Sequence, residues 1–149
     1  MKWKILAAIA FALVLAGAVA AADLTAPSQN DEIVTVDGID FKIPAGFSED
    51  PDFAINGEAN ETGGITYTTW GKTFEKASTI LSVAVATYDG ADVNDEVARY
   101  VGDEKMSING VDGYNYTMGP FNGFTYAKNG KLVIITSNDE GILEDVVVK

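Results

Sequence analysis

The 149-residue chain contains no cysteine and no histidine. Without cysteine no disulfide can staple the fold, so burial of apolar surface has to hold it. Without histidine neither a Ser-His-Asp nor a Cys-His nucleophile system can be assembled. Zinc sites of the usual Cys/His kind, and haem or copper sites, lose their ligands for the same reason. Catalysis is left with carboxylate pairs or a Ser–Lys arrangement. Positive charge is also scarce: 10 Lys and Arg face 22 Asp and Glu, a formal charge of −12. Such a surface repels nucleic-acid phosphates and anionic lipid, so neither is an expected partner. No cofactor is implied.

What is present begins with "MKWKILAAIAFALVLAGAVAAAD". Lys2 and Lys4 precede an uncharged apolar run from Ile5 to Ala22, closed by the small-residue sites Ala18-Val19-Ala20 and Ala20-Ala21-Ala22. A basic start, an apolar middle and a small-residue exit make residues 1–22 a secretory signal peptide. The competing reading is an uncleaved anchor, since the run is just long enough to span a bilayer; the Ala-rich exit favours cleavage. Ala18 stands where a bacterial lipoprotein would carry its lipidated cysteine, so lipid anchoring is excluded. The expected product is secreted or associated with the cell envelope, off the membrane after cleavage, and monomeric. Losing the two lysines takes the formal charge from −12 to −14.

Residues 23–31, "DLTAPSQND", read as a polar tether, and residues 32–149 as one α+β domain. "EIVTVDGIDFKIPAGF" reads as a hairpin: Ile33, Val34 and Val36, an Asp37-Gly38 turn, then Ile39, Phe41 and Ile43 alternating up to Pro44. Ser48 to Gly64, rich in acids, is expected to be a long loop and the segment most apt to carry function. Two strands follow. "ITYTTWGKTF" alternates Ile65 and Tyr67 against Thr66, Thr68 and Trp70, with Gly71 as a bulge candidate. "TILSVAVATY" puts Leu81, Val83 and Val85 on one face and Ser82, Ala84 and Ala86 on the other, which predicts a helix pressed on the small face. That helix is expected in "DVNDEVARYVGDEK", capped by Asp92, with Val93, Val97, Tyr100 and Val101 as its stripe. The chain should close on a helix capped by Ser137 or Asn138 that buries Ile142, Leu143, Val146 and Val147.

Between these segments "SINGVDGYNYTMGPFNGFTYAKNGKLVIITS" carries Asx-Gly pairs at Asn109, Asp112, Asn122 and Asn129. They read as hairpin turns of an antiparallel meander, ending in a strand from Lys131 buried on both faces. A calcium-loop reading is weaker. "YDGADVNDE" offers Asp89, Asp92, Asp95 and Glu96, but its glycine stands second, not sixth, and helix capping accounts for Asp92 and Asp95. Calcium-binding nonapeptide repeats need a fixed period, which the Asx-Gly positions lack.

Trp70, Tyr67, Tyr114, Tyr116 and Tyr126 raise the question of a sugar-stacking platform. Alternation instead points most of them into a core; Trp70 is the exception, on the row of Thr66 and Thr68 that would ordinarily face water. Asn60-Glu61-Thr62 and Asn115-Tyr116-Thr117 match the N-glycosylation triplet, and Asn60, in the expected loop, is the reachable one.

"GIDFKIPAGF" resembles the opening of small α/β sandwich domains of the PsbP and Mog type. "INGVDGYNYT" with "FTYAKNGKLVIIT" resembles their glycine-tyrosine strand and late hairpin, and "ILEDVVVK" their closing helix. The chain is also similar to small exported proteins of methanogenic archaea. The resemblance implies an antiparallel sheet with an N-terminal hairpin, a central helix and a C-terminal helix packed on it, in a non-catalytic accessory or partner-binding role. It transfers no functional residues. The residues themselves therefore suggest an envelope binding module contacting a protein or glycan through Trp70 and the acids Asp50, Asp52, Glu58 and Glu61. Two alternatives stand beside it: a glycan hydrolase pairing two of those carboxylates, and a domain that binds calcium weakly.

Overall fold

Alternating apolar residues bounded by Asx-Gly pairs build strands wherever one row can be hidden. The computed structural model describes residues 24–62 and 64–149, so the predicted signal peptide lies outside the described residues. Strands β1 (Glu32–Val36) and β2 (Ile39–Ile43) form the expected hairpin, turning at Asp37 and Gly38 with φ of 44° and 81°. A seven-stranded antiparallel sheet follows: β3 (Ser48–Thr62), β4 (Ile65–Lys76), β5 (Thr79–Tyr88), β6 (Glu104–Ile108), β7 (Val111–Met118), β8 (Phe121–Lys128) and β9 (Lys131–Ser137). Its order is β3-β4-β5-β9-β8-β7-β6, so β9 returns to pair with β5 and closes the meander onto the first half. Helix α1 (Asp95–Val101) lies between β5 and β6. The chain ends in a 3-10 turn (Glu140–Ile142) running into the single-turn helix α2 (Leu143–Val146).

Both faces of the sheet bury side chains. On one face Leu81, Val83, Val85, Phe124, Tyr126, Val133 and Ile135 meet Phe41 and Ile43 of the hairpin together with Ile142, Leu143 and Val146 of the terminal segment. On the other, Ala86, Leu132, Ile134, Tyr114 and Tyr116 meet Val97 and Ala98 of α1. Strand β9 is buried from Leu132 to Ser137, as its unbroken apolar run requires. Asp37 ties the hairpin to the sheet. Its carboxylate accepts a 2.6 Å hydrogen bond from Thr87 and pairs with Lys131 at 3.3 Å, and Lys131 also donates to the Asp37 carbonyl.

Several expectations are corrected. Ser48–Gly64 is not a loop: Ser48–Thr62 is an edge strand paired with β4, its register broken between Asp50 and Ile55 and again between Asn56 and Glu58. An edge strand needs partners on one side only, so polar and acidic residues are tolerated and even protective there, and Pro51 falls inside the first break. The tether is laced to this strand. Thr25 donates its N–H to the Glu49 carbonyl at 2.9 Å and accepts the Glu49 N–H on its hydroxyl, while Ser28 exchanges backbone bonds with Phe47 and Gly46.

Helix α1 starts later than Asp92, with Asn94 as its N-cap accepting from the Glu96 N–H. Of the expected stripe, Val93 and Val97 are buried and Val101 partly so, joined by Ala98, whereas Tyr100 stays 44% exposed. It sits on the face of Ala84 and Ala86 as expected, but over β7 and β8 instead of β5, where Tyr114 donates a 2.8 Å hydrogen bond to Asp95. The terminal turn is capped by Asp139, whose carboxylate accepts from the Gly141 N–H, because Ser137 still belongs to β9.

Of the four Asx-Gly pairs in the meander, Asn109-Gly110 and Asn129-Gly130 are turns, with Asn φ of 52° and 53°. Asp112-Gly113 and Asn122-Gly123 lie inside β7 and β8. There glycine serves close approach. A Cβ on Gly123 would stand 1.9 Å from Tyr116 Cζ, and one on Gly113 would stand 2.6 Å from Phe124 Cζ. Each bare backbone is roofed by a ring from the next strand, a pairing that restores the lost side-chain contact.

Candidate functional site

Strand β4 explains why an indole stands at the surface. Its even-numbered row points to the face covered by the hairpin, where Phe74, opposite Leu81, is buried in the core. Farther along the same row Lys72 is half-buried and Trp70 is 38% exposed. The row expected to face water is thus a core row that runs out from beneath the β1–β2 cover. Trp70 sits where the cover stops.

The register breaks of β3 seat the ring. Asn56 lies opposite Trp70, and Gly57 follows with φ of 73°. A Cβ on Gly57 would stand 2.7 Å from Trp70 Cζ2, so only glycine lets the benzo ring lie against this backbone. On the inner side Ile55 pairs with Gly71.

Beside the indole opens a cleft of about 370 Å³. The end of β1 and its turn supply one wall with Thr35, Val36 and Asp37; β3 supplies Ile55 and Asn56; β4 supplies the floor with Trp70, Gly71 and Lys72. Three of its polar side chains are held from behind. Thr35 donates to Asp40 at 2.6 Å, Lys72 is paired with Glu49 at 3.0 Å, and Asp37 is fixed by Thr87 and Lys131. Polar groups oriented by their own partners, around an exposed aromatic face, are the ingredients of a small-ligand site.

The other candidate residues scatter. Asp50 is fully buried, one carboxylate oxygen accepting the Asp52 N–H at 3.1 Å and the other without a hydrogen-bond partner. Asp52, Glu58 and Glu61 are exposed along the same strand. At roughly 3.3 Å of rise per residue, Asp52 and Glu58 are separated by far more than a glycosidase carboxyl pair spans; Asp50 and Asp52 are near enough, but the first is fully buried and the second exposed. The four acids do not share the Trp70 cleft. Among the described residues no group of three or more acidic side chains is placed to hold a metal ion. Asn60 is exposed on the edge strand, whereas Asn115 is half-buried in β7 with its side-chain oxygen accepting the Glu104 N–H.

Tyr67, Tyr114, Tyr116 and Tyr126 are buried and belong to no platform. Burial pushes the Tyr88, Tyr116 and Tyr126 phenols well above their ordinary value, and the hydrogen bond to Asp95 raises that of Tyr114. Sequence reasoning missed Thr35, Asp37 and Asn56 as companions of Trp70. They come from three separate stretches, and only the hairpin's docking brings them together.

A second groove of about 490 Å³ runs along Pro44, Phe47, Lys76, Asp139, Ile142 and Asp145. Its lysine is already engaged by the Ala45 carbonyl and lies 5.9 Å from the Phe47 ring centre, and its aromatic side chain is buried. The Trp70 cleft is the better-equipped of the two.

The architecture defines a sheet-rich protein of the α+β class. No family model, curated protein or solved structure matches the chain.

Proposed function

We propose that the chain is an exported, non-catalytic binding or accessory module of the cell envelope, acting through the cleft at Trp70. The observation that carries this reading is an indole kept at the surface, beside a cleft whose polar walls are already oriented, by a strand that breaks register to seat it. An exposed indole beside oriented polar groups is a surface on which a ligand or partner can bury apolar area. The reading of residues 1–22 as a signal supplies the compartment, and the acidic surface argues for solubility there.

The finer assignment we favour is a PsbP/Mog-type sandwich. Its support is positional: "GIDFKIPAGF" falls on β2 and its exit, "INGVDGYNYT" on the β6–β7 turn, and the late hairpin on β8 and β9.

One experiment addresses both compartment and contact surface. The tagged full chain is expressed in its native cell, the envelope and medium are fractionated, and bound material is recovered for wild type and Trp70→Ala. The expected result is an exported product beginning at Asp23 that retains envelope material only when Trp70 is present. Retention in the cytoplasm overturns export, and identical capture by the two forms overturns the assigned surface.

A further inference from the structure

We infer that the Trp70 cleft takes an uncharged sugar ring of a glycan chain; this rests on the binding-module reading and names its ligand class. A pyranose has one face of C–H groups and a rim of hydroxyls. The cleft mirrors both halves. Trp70, 38% exposed, offers the apolar surface of its indole for the C–H side. Around it Thr35, Asp37, Asn56 and Lys72 present a hydroxyl, a carboxylate, a carboxamide and an ammonium at the rim. After their internal bonds these groups retain capacity. Lys72 has three donors and spends one on Glu49, and the Thr35 hydroxyl donates to Asp40 but can still accept. Mixed donors and acceptors suit hydroxyls, which are both. A purely anionic ligand would need a cationic site, and this one holds a single lysine that is already neutralised by a carboxylate.

Charge narrows the class. A molecule of formal charge −12 repels uronates and phosphorylated polymers, so neutral hexose and N-acetylhexosamine chains are the ones that can approach. The cleft of about 370 Å³ accommodates a sugar ring, and its open end lets the polymer continue along the surface. The register breaks and Gly57 then acquire a purpose. They let the benzo ring lie against the edge strand while Trp70 stays partly exposed beside the cleft.

The chain holds two tryptophans, Trp3 and Trp70. Full-length protein carrying Trp3→Phe therefore reports on Trp70 alone. Its fluorescence is titrated with chitotetraose, cellotetraose, mannotetraose and a galacturonate oligomer to roughly 10 mM, beyond the millimolar dissociation constants of single stacking contacts. At least one neutral oligomer should give a saturable shift, with the galacturonate weaker. Asn56→Ala, an exposed change, should weaken binding about three- to tenfold, and Trp70→Ala, followed by calorimetry with its fold checked by circular dichroism, should weaken it about tenfold or more. A flat response to every neutral oligomer, tighter binding of the galacturonate, or unchanged affinity in the folded Trp70→Ala form overturns the inference. If the titrations are flat while wild type still captures an envelope protein through Trp70, the sugar falls and the binding-module reading stands. If neither occurs, both fall.

Discussion

At the scale of single residues, the turn between β4 and β5 breaks the pattern set by its neighbours. Where the β1–β2, β6–β7 and β8–β9 turns carry Asp or Asn at the positive-φ position followed by glycine, this one has Ala77 at φ of 53°, followed by Ser78. Alanine in that region is strained, and glycine is not. Ala77→Gly should raise stability by about 0.5–1 kcal/mol, read as a higher urea midpoint with an unchanged slope. The site's residues were unevenly legible at this scale. Asn109-Gly110 and Asn129-Gly130 announce turns, but Asn122-Gly123 looks the same in sequence and is a strand position held by the Tyr116 ring. A dipeptide records which backbone angles are permitted, not which neighbour stands over it. Trp70 was singled out by alternation alone. That its row is a core row emerging from cover was invisible, because the cover lies thirty-odd residues upstream.

Among elements, the hairpin's attachment decides whether the cleft exists. One wall of the cleft belongs to β1 and its turn, and the grip on that turn is Asp37 with Thr87 and Lys131. Lys131→Met removes the cation and its bond to the Asp37 carbonyl while keeping the apolar stem. It should cost about 1–2 kcal/mol, since it leaves a half-buried carboxylate with one hydroxyl partner. Chemical unfolding measures the loss, and amide exchange should quicken first in β1 and β2. Elements with an apolar alternation were readable in advance: β1, β2, β5, β7, β8 and β9 all fall where the pattern puts them. Strand β3 was not, because a polar edge strand owes its conformation to the hydrogen bonds of β4 and hides too little to leave a periodic mark. The helix fared between these. Its existence was legible, but Asn94 displaced Asp92 as cap because Val93, bonded through its N–H to the Gly130 carbonyl, still follows the sheet.

For the whole molecule, the absent residue types set the pH response. With neither histidine nor cysteine, no side chain of ordinary pKa titrates between about pH 7 and 9. Above that range the buried tyrosines take over. Burial holds the Tyr88, Tyr116 and Tyr126 phenols neutral in the folded state to higher pH than in the unfolded chain, where the value is about 10. The unfolded chain therefore releases protons first. The stability these groups contribute is complete below pH 10 and is lost as pH climbs past it. Thermal melting should give a flat midpoint from pH 7 to 9 and a falling one above, with phenolate absorbance rising in step with unfolding. A midpoint that holds steady well above pH 10 would contradict the burial of these rings.

The two ends of the described chain leave from opposite margins of the sheet. Thr25 is stitched beside β3, while Val147 offers its carbonyl to Asn109 at the β6–β7 turn and Lys149 reaches over Gly110. Six inter-strand steps of about 4.8 Å separate those margins, roughly 29 Å. Anything grafted at the carboxyl end, whether bead, surface or fluorophore, would thus hang clear of the tryptophan-bearing border.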